Sequence, residues 1–258
     1  MKHCLLIFSL LLVFQLVCTG QTRLPANSRK KQTQHTLKSI DQLIDKQKTG
    51  WELVMQWKKD ATNQLEILPK NQAKAETALH HTQVSTRSPM GAIIYETGGI
   101  LIDGGWLRIL GSGAERMDRT LPEWNKGKAF DVYGEQPSFL LVADDVLGGF
   151  FAINGGGISN NEIGKIFYFA PDNLKWESTG LDYANFIIFC FSGALDKFYE
   201  GLRWTSWQQD VKNISGDKGL LCDPLLYTKG GQNINKVKRK LVPVQELWDM
   251  YFKESKEK

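Results

Sequence analysis

The stretch that most constrains this chain runs from Phe139 to Gly157, FLLVADDVLGGFFAINGGG, and continues from Gly164 to Pro171, GKIFYFAP. Its apolar runs are too short for helices and are bounded by Gly, Asn and Asp. They predict strands at Phe139–Val142, Gly149–Ile153 and Lys165–Phe169, joined as a tight antiparallel meander. The polar residues between them suit turn chemistry. Asp144 and Asp145 open a turn and Asn154–Gly157 closes one, because side-chain oxygens accept from free backbone N–H groups and glycine takes the bend. Asp144 and Asp145 with Glu162 also suggest an acid–base pair or hard-cation ligands, but no loop of regularly alternating oxygen ligands accompanies them.

Upstream, Met90–Tyr95, Ile100–Ile102 and Trp106–Leu110 are short runs rich in Ile and aromatics, separated by Thr97-Gly-Gly99 and Asp103-Gly-Gly105. This pattern predicts further hairpin strands, and the glycine pairs form no phosphate loop because no Gly-Lys-Ser or Gly-Lys-Thr follows. Helices are expected on both sides of these strands. Ser39 and Gln42 make a capping box ahead of Ile40, Leu43 and Ile44, and Trp51–Ala61 and Asn71–Leu79 follow with helical composition. Pro122 suits the first turn of a short helix at Leu121–Trp124. Asp182–Phe191, DYANFIIFCF, is apolar on almost every side and should lie buried against the sheet. Ala194–Leu202, Trp204–Val211 and Val242–Phe252 complete the helices, with Gly216–Gly231 as a loop holding Cys222. The expected fold class is α+β, an antiparallel sheet meander flanked by helices. Residues 36–258 form a single domain with an N-terminal helical arm.

The first twenty residues do not belong to that fold. Lys2 supplies a positive start, Leu5–Val17 an apolar core, and Cys18-Thr-Gly20 a small-residue end, the pattern of an export signal that leaves Gln21 as the new N-terminus. Residues 21–35 read as a flexible leader. The mature chain is expected to be periplasmic or secreted, with no transmembrane helix after signal cleavage. Lipid anchoring at Cys18 is the weaker alternative, since Gln15-Leu-Val lacks a small residue just before it. Cleavage leaves Cys190 and Cys222, which permit one disulfide, while the apolar run Phe186–Phe191 equally suits Cys190 as a buried free thiol.

A net charge of +4, with both signs interleaved, argues against nucleic acid as a partner. The basic run Lys236–Lys240 suits a solvated loop before the last helix better than an anion contact. His80 and His81 lack the further ligands a metal would need. Neither catalytic residues, nor a metal, nor a cofactor is indicated. Trp124, among Arg119, Glu123 and Lys126, is either an exposed recognition aromatic or a half-buried anchor. The candidate ligand-binding residues are Glu96, Asp103, Trp106, Trp124, Asp144 and Asp145, on turns of the expected sheet.

Several central segments together resemble a known family. They are Thr86–Ala92, Ile100–Gly113, Leu121–Asn125, Val142–Asp145, Gly148–Gly156, Phe169–Asp172 and Gly201–Trp204. Over about residues 38 to 250 the chain resembles the bacterial family of unknown function DUF2625, which carries no assigned chemistry. It is similar, more distantly, to the SUKH superfamily, which includes immunity proteins that bind and neutralise toxins. That similarity lies in element order: a strand ending in Asp144 and Asp145, a strand Gly149–Ile153, a strand Lys165–Phe169, then a helix Tyr183–Phe191. It implies a SUKH-like α+β domain that binds without catalysis. The expectation is therefore a binding module for an unknown protein or small ligand. The alternative is an envelope hydrolase using Glu96, Asp103, Asp144 and Asp145 in acid and base roles.

Overall fold

The structure is a computed structural model that describes residues 37–257; the expected export signal at 1–20 and the expected leader at 21–35 lie outside the described residues. Helices α1 (Ile40–Leu43) and α2 (Trp51–Lys59) lead to strand β1 (Leu65–Leu68), then α3 (Gln72–Thr82) and α4 (Pro89–Glu96). Strands β2 (Gly99–Ile102) and β3 (Leu107–Leu110) precede the short α5 (Leu121–Asn125) and strands β4 (Phe139–Asp145), β5 (Phe150–Asn154), β6 (Ile166–Ala170) and β7 (Lys175–Ser178). Helices α6 (Tyr183–Ser192), α7 (Leu195–Phe198) and α8 (Trp207–Val211), strands β8 (Lys218–Asp223) and β9 (Lys238–Pro243), and α9 (Val244–Glu257) finish the chain. No described helix is long and apolar enough to cross a membrane.

Strands β1 to β7 form one antiparallel sheet in sequence order, each paired with its chain neighbour. The fold is thus α+β, built on the expected meander. Strand alternation sends adjacent aromatics to opposite faces. Phe151 pairs with Tyr168 and packs on Phe186 of α6, whereas Phe150 pairs with Phe169 and packs on Trp248 and Phe252 of α9. Phe169 stacks on Phe252 at 4.5 Å. Each face is therefore sealed by a helix: α6, as its apolar sequence required, and α9. Burying a phenylalanine this way contributes roughly 2–3 kcal/mol.

The turns follow the expected chemistry. Asp103 and Gly104 adopt φ of 51° and 69° in a 3₁₀ turn, which glycine takes without strain. Asn154 is fully buried, and its Oδ1 accepts from Gly156 N at 2.8 Å while its Nδ2 donates to Ser159 O and Asn161 O. The capping box of Ser39 and Gln42 is present at α1.

Several elements correct the sequence reading. Met90–Tyr95 is helical within α4: Ser88 Oγ accepts from Gly91 N, and Pro89 occupies the first turn, where its missing N–H costs nothing. Those residues are apolar all round because α4 is buried among α2, α3 and α6. The expected loop Gly216–Gly231 contains β8, and the basic run Lys236–Lys240 enters its partner β9. The expected long helix Ala194–Leu202 is only α7, since Gly201 turns the chain left-handed at φ 82°. Helix α8 begins at Trp207, after Trp204 Nε1 and Ser206 Oγ both donate to Asp210 Oδ2. Strands β1 and β7, at the two edges of the sheet, were not expected.

Candidate functional site

Asp144 and Asp145 end β4 next to each other, so they point to opposite faces of the sheet. Both are fully buried. Asp144 pairs in register with Arg108 on β3, whose Nη2 stands 2.6 Å from Asp144 Oδ1. Arg108 is also fully buried, and it donates to Lys218 O at 2.6 Å and Asp145 O at 2.5 Å. Burial lowers its pKa, an effect the carboxylate of Asp144 opposes. Arg119 approaches from the other side: Nη1 donates to Asp144 Oδ2 at 2.7 Å, Nη2 to Gly216 O, and Nε to Asp217 Oδ1. Asp144 is thus one carboxylate held between two guanidinium groups.

Asp145 performs the turn role expected of it. Its Oδ1 accepts from Leu147 N and Gly149 N, both at 2.9 Å, and its Oδ2 accepts from Tyr168 Oη at 2.8 Å. Burial raises its pKa, and the hydrogen bond from Gly149 N is the largest influence opposing that rise.

The other candidates fall into separate groups. Trp106 is fully buried and stacks edge-on with Tyr199 and Trp207. Arg203 lies 4.0 Å over the Trp207 ring and pairs with Asp103 at 2.7 Å, which joins Asp103 and Trp106 in one cluster. Trp124 is nearly buried, with Arg119 4.6 Å from its ring, so it connects to Asp144 through that guanidinium. Glu96 stands apart, paired with Lys70 at 3.3 Å. The four carboxylates Glu96, Asp103, Asp144 and Asp145 therefore have separate partners and do not meet in one cavity. His81 stacks on Tyr133 at 3.7 Å. Among the described residues no group of three or more His, Cys, Asp and Glu is arranged to hold a metal. Cys190 and Cys222 are buried free thiols.

An open cleft adjoins Tyr168. It holds about 460 Å³ and is lined by Tyr168, Asp172, Glu177, Phe198, Glu200 and Tyr227, with smaller neighbours. Local folding sets this wall. In the β6–β7 turn, Asn173 Oδ1 accepts from Lys175 N and Asn173 Nδ2 donates to Glu177 Oε1 at 2.6 Å, which fixes Glu177. Gly201 carries the chain past Glu200, and on the far side Gly231 N donates to Thr228 O. Three carboxylates line the cleft and no basic side chain does. An apolar crevice of about 180 Å³ adjoins it, lined by Phe151, Leu181, Phe186 and Phe189 and sharing Tyr168, Glu177 and Phe198. Acidic groups beside aromatic faces suit an organic cation, because ring quadrupoles and carboxylates both attract positive charge.

Fold and cleft together define an α+β domain on a seven-stranded antiparallel meander with an open acidic and aromatic cleft. The chain belongs to the family described as protein of unknown function DUF2625, which matches residues 40–247. An uncharacterised protein of Haemophilus influenzae is 41% identical over 218 residues, covering 84% of this chain and 95% of its own length. The uncharacterised protein YbfG of Escherichia coli is 41% identical over 216 residues, covering 84% and 96%. No solved structure matches the chain.

Proposed function

We propose that this chain is an exported, non-enzymatic binding module whose acidic and aromatic cleft holds a cationic group of a protein or small ligand. The observation that carries the proposal is the cleft wall: Asp172, Glu177 and Glu200 beside Tyr168 and Phe198, with no lysine or arginine among the lining residues. The side chains of Asp172 and Glu200 form no hydrogen bond or ion pair with another described residue, so both carboxylates are available to a ligand. The adjoining crevice suits an apolar body attached to the cation. The distant resemblance of the sequence to the SUKH superfamily, whose members include toxin-binding immunity proteins, supports a binding role. Export rests on Lys2, the apolar run Leu5–Val17 and Cys18-Thr-Gly20, and the family match begins only at residue 40. The hydrolase alternative draws on Asp145, whose pKa is raised by burial, but that carboxylate is enclosed by turn N–H groups and Tyr168.

Calorimetric titration with hexylamine, with hexanol as the uncharged control, tests the cleft. Saturable binding of the amine alone is expected, weakened about tenfold in an Asp172→Asn, Glu200→Gln double variant, since each lost carboxylate removes a Coulombic attraction. Equal binding of hexanol, or no effect of the double variant, would overturn the reading. N-terminal sequencing of the chain recovered from its native cells tests export: a start at Gln21 supports it, and a retained Met1 rejects it.

A further inference from the structure

A second groove, of about 420 Å³, is bounded by Arg119, Trp124, Lys128, Asp217, Pro243 and Gln245, with Asp118 and Glu123 at its edge. Almost every charge there already has a partner. Arg119 is engaged by Asp144, Asp217 and Gly216 O. Asp217 also accepts from the backbone N–H groups of Asp118 and Arg119. Asp118 is paired with Lys74, and Glu123 accepts from Thr120 Oγ1.

Lys128 is different. Its ammonium group makes no ion pair or hydrogen bond among the described residues, and it rests 3.9 Å over the Trp124 ring and 5.9 Å from that of Trp248. Partial burial, reinforced by Arg119 and opposed by Asp249 of α9, brings its pKa down to about 8. Trp124 is 5% exposed, and its indole Nε1–H has no acceptor. The groove therefore holds a half-desolvated cation that makes no ion pair, resting on an indole that is itself closed off from solvent. A partly desolvated cation that makes no ion pair is costly, so it is a standing attraction for an acceptor carrying negative charge.

We propose that this groove binds a monocarboxylate, whose oxygens accept from Lys128 Nζ above the Trp124 ring. The charge of the ligand follows from the surroundings. Only one positive charge is uncompensated, and Asp118, Glu123 and Asp217 repel a second negative one. Trp124 and Pro243 in the groove wall favour a ligand with an apolar or aromatic body. This site is separate from the acidic cleft, shares none of its lining residues, and takes a ligand group of opposite charge.

The test is a ¹⁵N NMR titration of the full chain, following the Trp124 indole N–H assigned by its absence in Trp124→Phe. The probe is sodium benzoate, compared with sodium chloride, sodium phosphate and benzyl alcohol at equal ionic strength. A saturable shift with benzoate alone is expected. It should weaken about tenfold in Lys128→Met and by a similar factor between pH 7 and pH 9.5, as the amine loses its proton. The shift should persist in Glu200→Gln, which separates this site from the cleft. The proposal is overturned by the absence of a saturable shift, by chloride or phosphate acting equally, or by unchanged benzoate affinity in Lys128→Met with the other indole signals in place.

Discussion

Arg108 and Asp144 face each other in register across β3 and β4, 2.6 Å apart and both shut away from solvent, and Arg119 closes the other side of the same carboxylate. A buried pair of this kind is worth little over an apolar replacement, but the loss of one partner strands the other. Asp144→Ala leaves two guanidinium groups facing each other. It should destabilise the domain by about 3–5 kcal/mol, measured by urea unfolding. The triple variant Arg108→Met, Asp144→Leu, Arg119→Met should recover most of that loss; an equal or larger loss would show that the network supplies more than mutual compensation.

Gly149 sits against the hydrogen bond between Asp145 and Tyr168. A Cβ there would come within 2.2 Å of Asp145 Oδ2 and 2.4 Å of Tyr168 Oη. Gly149→Ala should therefore cost roughly 3 kcal/mol through overpacking and the displaced hydrogen bond. Because Tyr168 also walls the acidic cleft, hexylamine affinity should fall with it. Thermal unfolding and the calorimetric titration would each detect the change; an unaltered Tm would contradict the packing described.

Asp182 caps α6, accepting from Asn185 N at 2.9 Å. That hydrogen bond holds its carboxyl below the ordinary 3.8. With the folded value depressed, the cap's contribution is complete above about pH 4 and fades as pH falls through the folded value. Asp182→Ala should cost about 1 kcal/mol at neutral pH. The gap between the two proteins should close toward pH 2, as followed by denaturant unfolding over a pH series.

Cys190 and Cys222 are both buried, and burial pushes the Cys222 thiol up to about 11 and that of Cys190 well above its usual value. Thiolates are the reactive form, so neither side chain should react with Ellman's reagent at pH 8 in the folded state. Both should react once the domain is unfolded. A native chain that yields no free thiol after unfolding without reductant would instead indicate a bridge.

The sheet could be read from the sequence wherever apolar runs are bounded by turn residues. Ile100–Ile102, Phe139–Val142 and the two strands after it are of this kind, because each carries its own boundary signal. Met90–Tyr95 misled because a helix buried among other helices loses its polar stripe and looks like a central strand. The decisive mark was Ser88-Pro89, a helix start. Strands β7 and β9 were missed because KWES and KRKLVP leave much of their length in water and carry little hydrophobic pattern. The cleft could not be read at all: Tyr168, Glu200 and Tyr227 come from segments far apart in the chain. The partners of Asp144 were hidden for the same reason, so a buried ion pair resembled half of a turn.

The strictly sequential strand order carries a consequence for synthesis. Each new strand from β2 to β7 finds its partner in the strand made just before it. The sheet can therefore lengthen as the chain leaves the ribosome, with no earlier strand waiting for a distant one. The helix that closes the Phe150 and Phe169 face, α9, emerges only after every strand of the sheet. A chain released just before Val244 would carry that aromatic surface uncovered, and limited proteolysis of a chain truncated at Pro243 should show rapid cleavage across β5 and β6. Closure of that aromatic face is thus tied to an element that the sheet itself does not need in order to pair its strands.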